Sequence, residues 1–128
     1  MTSPWWQRHT DLDDLVRALE ETLPFGGETA RAAWTDFAQA IDAHFAVEED
    51  VYFDLVHRLC PDLGTRVARA RQAHDAIRAE IRRLGEELGA GESAHVQRLL
   101  ADLLAAFGEH ERLESLLVRA LAERAGEE

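Results

Sequence analysis

Apolar residues recur at intervals of three and four along most of the chain, the spacing that places side chains on one face of an α-helix. Three stretches containing Gly or Pro interrupt this pattern, and each is followed by a residue suited to begin a new helix. Runs that alternate apolar and polar residues, as strands do, are absent from the sequence. The pattern predicts four helical segments, roughly residues 5–23, 28–59, 65–88 and 93–124.

These four segments also predict how the helices are arranged. Short connections favour antiparallel packing of consecutive helices, so we expect an all-α fold, an antiparallel up-down-up-down four-helix bundle. The chain of 128 residues has the length of one domain with one hydrophobic core. We therefore expect residues 1–128 to form a single domain.

The predicted buried face of each helix contains polar residues as well as apolar ones. Every helix places one histidine there, and in the second and fourth helices a glutamate follows one turn later. The buried face of the second helix is predicted to run through Trp34, Phe37, Ile41, His44, Glu48, Val51 and Leu55. The polar residues on the four faces are His9, His44, Glu48, His74, His110 and Glu114. A carboxylate in a core costs several kcal/mol unless it is paired or binds a metal.

The positions of these six residues along the bundle decide whether they can meet. Counted from the turns that join the helices, their heights differ by roughly 2 to 3 Å at about 1.5 Å of rise per residue. This mismatch is smaller than one helical turn. We therefore expect all six side chains to lie in one layer of the core.

Charge and composition exclude several classes of partner. The net charge is -11, from 25 acidic and 14 basic residues, so nucleic acid and anionic membrane surfaces are poor partners. Cys60 is the single cysteine, which rules out a disulfide within the chain. The N-terminus has neither a basic leader nor an apolar signal core, and no stretch approaches the length of a membrane span. A cytoplasmic protein is expected.

Four imidazoles and two carboxylates in a dry bundle interior suit transition metals, most naturally a pair of non-haem irons. Manganese and zinc accept the same ligand types. We assign His9 and His44 to one metal and His74 and His110 to the other. The two glutamates, with an oxo or hydroxo group, would bridge the metals, and this neutralises the buried charge. The glutamates are Glu48 and Glu114.

The same residues, in the same order, resemble the hemerythrin-like, or HHE cation-binding, domain family. The resemblance rests on His9, the run from His44 to Glu49, His74 and the run from His110 to Glu114. It implies a four-helix bundle with a diiron centre that binds or senses oxygen, nitric oxide or iron itself. The alternative that it implies is a diiron redox enzyme that consumes peroxide or oxygen.

The chain departs from the oxygen-carrying hemerythrins at two positions. Those proteins have a second histidine one turn after the third-helix histidine, where this chain has Arg78. They also place the last carboxylate five residues after the final histidine, where this chain has Ser115. The lost ligand favours exchangeable ligands, sensing or redox turnover over stable oxygen carriage. Residues or molecules that could fill the gap are Glu49, Asp75, Glu80 and water.

Other interpretations remain open at this point. Arg78 could reach solvent along its aliphatic stem or place a positive charge near an anionic ligand. A ferritin-like arrangement would use Glu-x-x-His spacing, which residues ending at His57 and His95 fit loosely; both lie off the buried faces. A metal-free bundle would use the polar layer as a hydrogen-bonded network. The protein could be a monomer or a homodimer, with Trp5 and Trp6 available for a dimer contact.

Overall fold

A computed structural model of the chain describes the backbone of residues 5–89 and 93–127, and the side chains of residues 12–89, 94–124 and 126. This part of the chain is almost entirely helical and contains no strand. The α-helices are α1 (Trp5–Thr22), α2 (Gly27–Val47), α3 (Phe53–Leu59), α4 (Gly64–Glu87) and α5 (Ser93–Glu127). The prediction of an all-α fold is therefore confirmed.

Short turns connect the helices at the first two predicted breaks, and the centre of the third, residues 90–92, lies outside the described residues. Thr22 is followed by a 3₁₀ turn, Leu23–Phe25, with Pro24 near its start. Gly26 has φ +67°, a conformation that L side chains rarely adopt, and it allows the chain to reverse into α2. A second 3₁₀ turn, Pro61–Leu63, leads from α3 into α4. Proline suits these first positions because its missing N–H would have no intrahelical partner there.

The second predicted helix, residues 28–59, differs from the expectation in one respect. A π-helical segment, Glu48–Tyr52, joins α2 to α3. The wider π turn adds one residue to the repeat and rotates everything after it. The predicted buried face is therefore correct through Glu48 and wrong beyond it. Val51 is 48% exposed and Leu55 is only half-buried, whereas the buried residues are Phe53, Val56 and Cys60.

The helices pack so that two apolar clusters lie on either side of a polar layer. Helix α1 packs against α2, α4 packs against α5 and also against α2, and α3 packs against α4 and α5. The larger cluster includes Phe37, Ile41, Ile77, Leu84, Leu103 and Phe107. The smaller cluster contains Phe53, Val56, Cys60, Val67, Ala70 and Leu117. In α2, α4 and α5 the predicted polar residues fall between the two clusters along the chain.

The indole of Trp34 fixes α2 against α4. Its Nε1–H donates a hydrogen bond to the carbonyl of Ile81, at 2.9 Å. The ring covers Gly85, which is buried and leaves no room for a side chain. This contact sets the separation of the two helices that supply much of the polar layer. Among the described residues, no helix combines the length and the apolar character needed to cross a bilayer.

Candidate metal centre

Five of the six predicted residues form one buried cluster between the helices. All of its members are polar or charged residues, yet each is only 0% to 4% exposed to solvent. The members are His44, Glu48, His74, His110 and Glu114. Four elements contribute them: α2, the π segment, α4 and α5. The sixth, His9, lies in α1, and its side chain falls outside the described part of the chain.

The carboxylate of Glu48 lies between histidines from different helices. Its Oε2 atom is 3.1 Å from Nε2 of His44, one turn earlier on the same stretch of helix. Its Oε1 atom is 2.9 Å from Nε2 of His74 on α4 and 3.8 Å from Nε2 of His110 on α5. The two oxygens of one carboxylate thus face different histidines. This is the geometry that a carboxylate shared by two cations would require.

The second glutamate, Glu114, approaches two of the same histidines, His74 and His110. Its Oε1 atom contacts Nε2 of His110 and lies 3.6 Å from Nε2 of His74. The Nε2 atoms of His74 and His110 are 2.8 Å apart. Glu48, His74, His110 and Glu114 each offer a ligand atom, and these atoms all lie within 4.8 Å of one another. Such convergence of nitrogen and oxygen donors suits a transition metal.

The electrostatics of the cluster favour positive charge. Burial lowers the pKa of His74, but the neighbouring carboxylates of Glu114, Glu48 and Glu49 outweigh it and raise the pKa to about 9. Burial likewise lowers the pKa of His110, and interactions with Glu114 and Glu48 outweigh it, so this pKa is also raised. Protons therefore supply the positive charge that balances the buried carboxylates when no metal is bound. A cation would replace those protons.

Two phenylalanine rings stack against His74. Phe45 lies almost parallel to the imidazole, and Phe53 has its ring centroid 5.2 Å from that of His74, with the planes at 26°. Two arginines of α4 cover the outer faces of these phenylalanines: the Cζ atom of Arg78 is 5.3 Å from the Phe45 centroid, and that of Arg71 is 5.5 Å from the Phe53 centroid. The stack fixes the plane of the imidazole and keeps water away from it.

Glu49 is the functional residue whose role the sequence did not define. Its Oε2 atom lies 2.8 Å from Nδ1 of His74, the ring nitrogen turned away from the cluster. Burial raises the pKa of Glu49, but hydrogen bonds from His74 and Arg78 outweigh it and lower the pKa. Of the candidates for the gap left by Arg78, none of Glu49, Asp75 and Glu80 belongs to the group of convergent ligand atoms within the described residues.

Arg78 neither points freely into solvent nor enters the cluster. Its side chain is 28% exposed, and its NH1 atom lies 3.0 Å from Oε2 of Glu49. It also contacts Asp42 at 3.4 Å and Asp75 at 3.5 Å. The ion pairs hold the guanidinium over the outer edge of the site.

A small apolar cavity adjoins the two buried carboxylates. Its volume is about 20 Å³, enough for a molecule the size of water. Apart from Glu48 and Glu114, its lining residues are Tyr52, Phe53, Val56, Leu117, Val118 and Leu121. The apolar space beside the two carboxylates can therefore admit a small molecule.

The two histidines of the alternative, ferritin-like arrangement lie elsewhere. His57 is exposed on α3. The His95 side chain is 37% exposed, and its Nε2 atom is 3.8 Å from Glu87. Neither belongs to the convergent group of the described residues.

Comparison with known proteins agrees with this geometry. Residues 1–122 match the family model described as hemerythrin HHE cation binding domain. No curated protein and no solved structure matches the chain. The family match covers nearly the whole sequence, and it confirms the resemblance drawn from the histidine and glutamate spacing.

Proposed function

Because this chain belongs to the hemerythrin HHE cation-binding family, we propose that it is a diiron protein that binds or senses a small molecule. The ligand is oxygen, nitric oxide or iron itself. The observation that carries the proposal is the position of Glu48, whose two carboxylate oxygens face histidines of different helices at 3.1 Å and 2.9 Å. The helices that hold the site would alternate in direction, as the short connections predict.

The ligand assignment follows the arrangement of the described side chains. His74 and His110 would bind one metal, and His44 would bind the other together with His9. Glu48 and Glu114 would bridge the two, with an oxo or hydroxo group between them. The donor set fits metal ions because two carboxylates that are 1% and 2% exposed need nearby positive charge. Manganese or zinc would satisfy the same donors.

Bound in this layer, a pair of irons would supply reversible binding of a small ligand or electron transfer to it. The protein's own contribution is to shape the surroundings. Phe45 and Phe53 cover His74 and exclude water from that side. The cavity of about 20 Å³ beside the carboxylates offers space for a small molecule. Its size and apolar lining support oxygen or nitric oxide as the ligand.

Sensing or exchangeable binding is favoured over stable oxygen carriage by the residue at position 78. Arg78 replaces a histidine ligand of the oxygen-carrying hemerythrins, and its guanidinium is held by Glu49 at 3.0 Å. A metal with one protein donor fewer keeps an open coordination position. Ligands at such a position exchange readily.

Optical spectroscopy of protein loaded with iron under anaerobic conditions tests this function. Admission of air or nitric oxide should produce new near-ultraviolet and visible absorption, because the ligand binds at the irons. A spectrum that reverses when the gas is removed supports binding or sensing. Catalytic consumption of peroxide that is lost in Glu48→Gln would instead identify the enzyme. An unchanged spectrum would contradict oxygen and nitric oxide as ligands, and failure of the protein to bind iron would contradict the whole proposal.

A further inference from the structure

Glu48 and Glu49, which are adjacent in the chain, each contact a different nitrogen of the His74 imidazole. Oε1 of Glu48 lies 2.9 Å from Nε2 of His74, and Oε2 of Glu49 lies 2.8 Å from Nδ1 of the same ring. In a regular α-helix, consecutive side chains diverge by about 100° around the axis. Here the chain is π-helical from Glu48 to Tyr52. The carboxylates of the two neighbours reach the inner and outer edges of the same ring.

The carboxylate of Glu49 is itself fixed in place. Arg78 contacts the same Oε2 atom at 3.0 Å. Asp42 contacts Nε of the guanidinium at 3.4 Å, and Asp75 contacts NH1 at 3.5 Å. The main-chain carbonyl of Glu49 accepts a hydrogen bond from Arg71 at 3.3 Å. Both the side chain and the backbone of Glu49 are therefore attached to α4, the helix that carries His74.

We propose that Glu49 is a positioning residue for the metal ligand His74, and that Arg78 holds Glu49 in the orientation this requires. The inference rests on the proposed metal site. When His74 donates its Nδ1–H to Glu49, the neutral ring has its lone pair on Nε2, the nitrogen that faces Glu48, His110 and Glu114. A carboxylate on the outer nitrogen also makes an imidazole a stronger ligand. Arg78 thus supports the site from outside, where the oxygen-carrying relatives have another ligand.

The geometry separates this role from direct metal ligation by Glu49. The oxygen that contacts His74 lies on the Nδ1 side of the ring, and the convergent donors lie on the Nε2 side. The Glu49 side chain is also 23% exposed, whereas the side chains of Glu48 and Glu114 are 1% and 2% exposed. Glu49 belongs to the rim of the site.

Zinc binding by the full chain tests the inference, because Zn²⁺ is diamagnetic and needs no redox chemistry. Titration against a competing chelator should show affinity that is about 10- to 100-fold lower in Glu49→Ala than in wild type. Glu49→Gln retains an oxygen acceptor without charge and should show a smaller loss. Arg78→Gln should weaken binding less than Glu49→Ala, because Glu49 remains present but unclamped. Glu86→Gln is the control, since Glu86 is exposed on α4 and lies outside the convergent group of the described residues.

Nitrogen-15 NMR of the zinc-loaded protein supplies a readout that a general loss of stability would not change. The wild-type His74 should show a protonated Nδ1 and a metal-bound Nε2, with slow exchange of the Nδ1 proton. In Glu49→Ala this proton should exchange faster, and its resonance should move upfield. Unchanged affinity with an unchanged resonance in Glu49→Ala would overturn the inference.

Two further outcomes distinguish failure of the positioning role from failure of the proposed function. Loss of one zinc per chain at saturation in Glu49→Ala would make Glu49 a ligand and would overturn the positioning role. Wild-type protein that binds neither zinc nor iron would overturn the proposed function itself, and the inference with it. Should Glu49→Ala fail to fold, Glu49→Gln and Arg78→Gln carry the same comparison.

Discussion

The rings of Phe45 and His74 lie almost parallel, with centroids 3.7 Å apart and planes at 6°. Phe45 is fully buried on α2, and His74 is fully buried on α4. The stack therefore joins the apolar core directly to the polar layer. It also restricts the plane of the imidazole, so the tilt of the ring follows the packing of the two helices.

Replacement of Phe45 by alanine should destabilise the protein by about 3–5 kcal/mol, because it removes a buried ring and leaves a cavity against His74. Urea unfolding of the metal-free protein measures the change. Phe25→Ala is the matched control, since Phe25 is 88% exposed and its loss should alter stability by less than about 0.5 kcal/mol. Equal effects of the two substitutions would contradict the packing described above.

Gly85 and Gly108 form a second matched pair. An added Cβ at Gly85 would overlap the ring of Trp34, whose position is fixed by its hydrogen bond to Ile81. Gly85→Ala should therefore cost about 1–3 kcal/mol. Gly108 lies within α5 with no atom within 4 Å of an added Cβ. Gly108→Ala should stabilise the helix by about 0.5–1 kcal/mol, and thermal unfolding should show shifts of opposite sign.

The stability of the metal-free protein should depend on the protonation of His74. Its pKa is raised from 6.5 to about 9, because the nearby carboxylates outweigh burial. A histidine whose pKa is higher in the folded state stabilises that state fully at pH values below its unfolded pKa. This stabilisation is lost as the pH rises through the folded pKa. Unfolding free energy measured in the presence of a chelator should therefore fall between about pH 6.5 and 9. An unfolding free energy that stays constant or rises over this pH interval would contradict the balance between protonated His74 and the nearby carboxylates.

Hydrophobic periodicity predicts much of the fold, but it does not predict the π-helical segment. The three-four repeat identifies the buried faces of α4 and α5, and also that of α2 as far as Glu48. The π segment at Glu48–Tyr52 adds a residue that a fixed repeat cannot anticipate. As a result, Val51 was assigned to the core in place of Phe53. The packing of Phe53 against His74 supplies the physical reason for this register.

The candidate site was predictable wherever polar residues occupy buried positions. A histidine or glutamate on an apolar face needs a partner, and this argument alone identified His44, Glu48, His74, His110 and Glu114. Glu49 gave no such signal, because a regular helix would turn it away from the core. Its contact with His74 depends on the π segment and on Arg78, which lies on another helix.

Removal of either carboxylate that we propose as a bridge should reduce metal binding. Glu48→Ala and Glu114→Ala each delete a donor that serves the convergent group, so the iron content per chain should halve or vanish. Elemental analysis of purified protein measures this content. Glu109→Ala is the control, because Glu109 is exposed on α5 and lies outside the group. Retention of two irons per chain by either bridging variant would refute that residue's assignment.

We propose that the buried layer holds two irons. The most direct test is the metal content of the wild-type chain, purified without oxygen with iron supplied and analysed for every transition metal. We expect two irons per chain, and near-ultraviolet bands of an oxygen-bridged iron pair once air is admitted. A chain that folds as described but retains no iron, with only zinc or no metal in the layer, would contradict it.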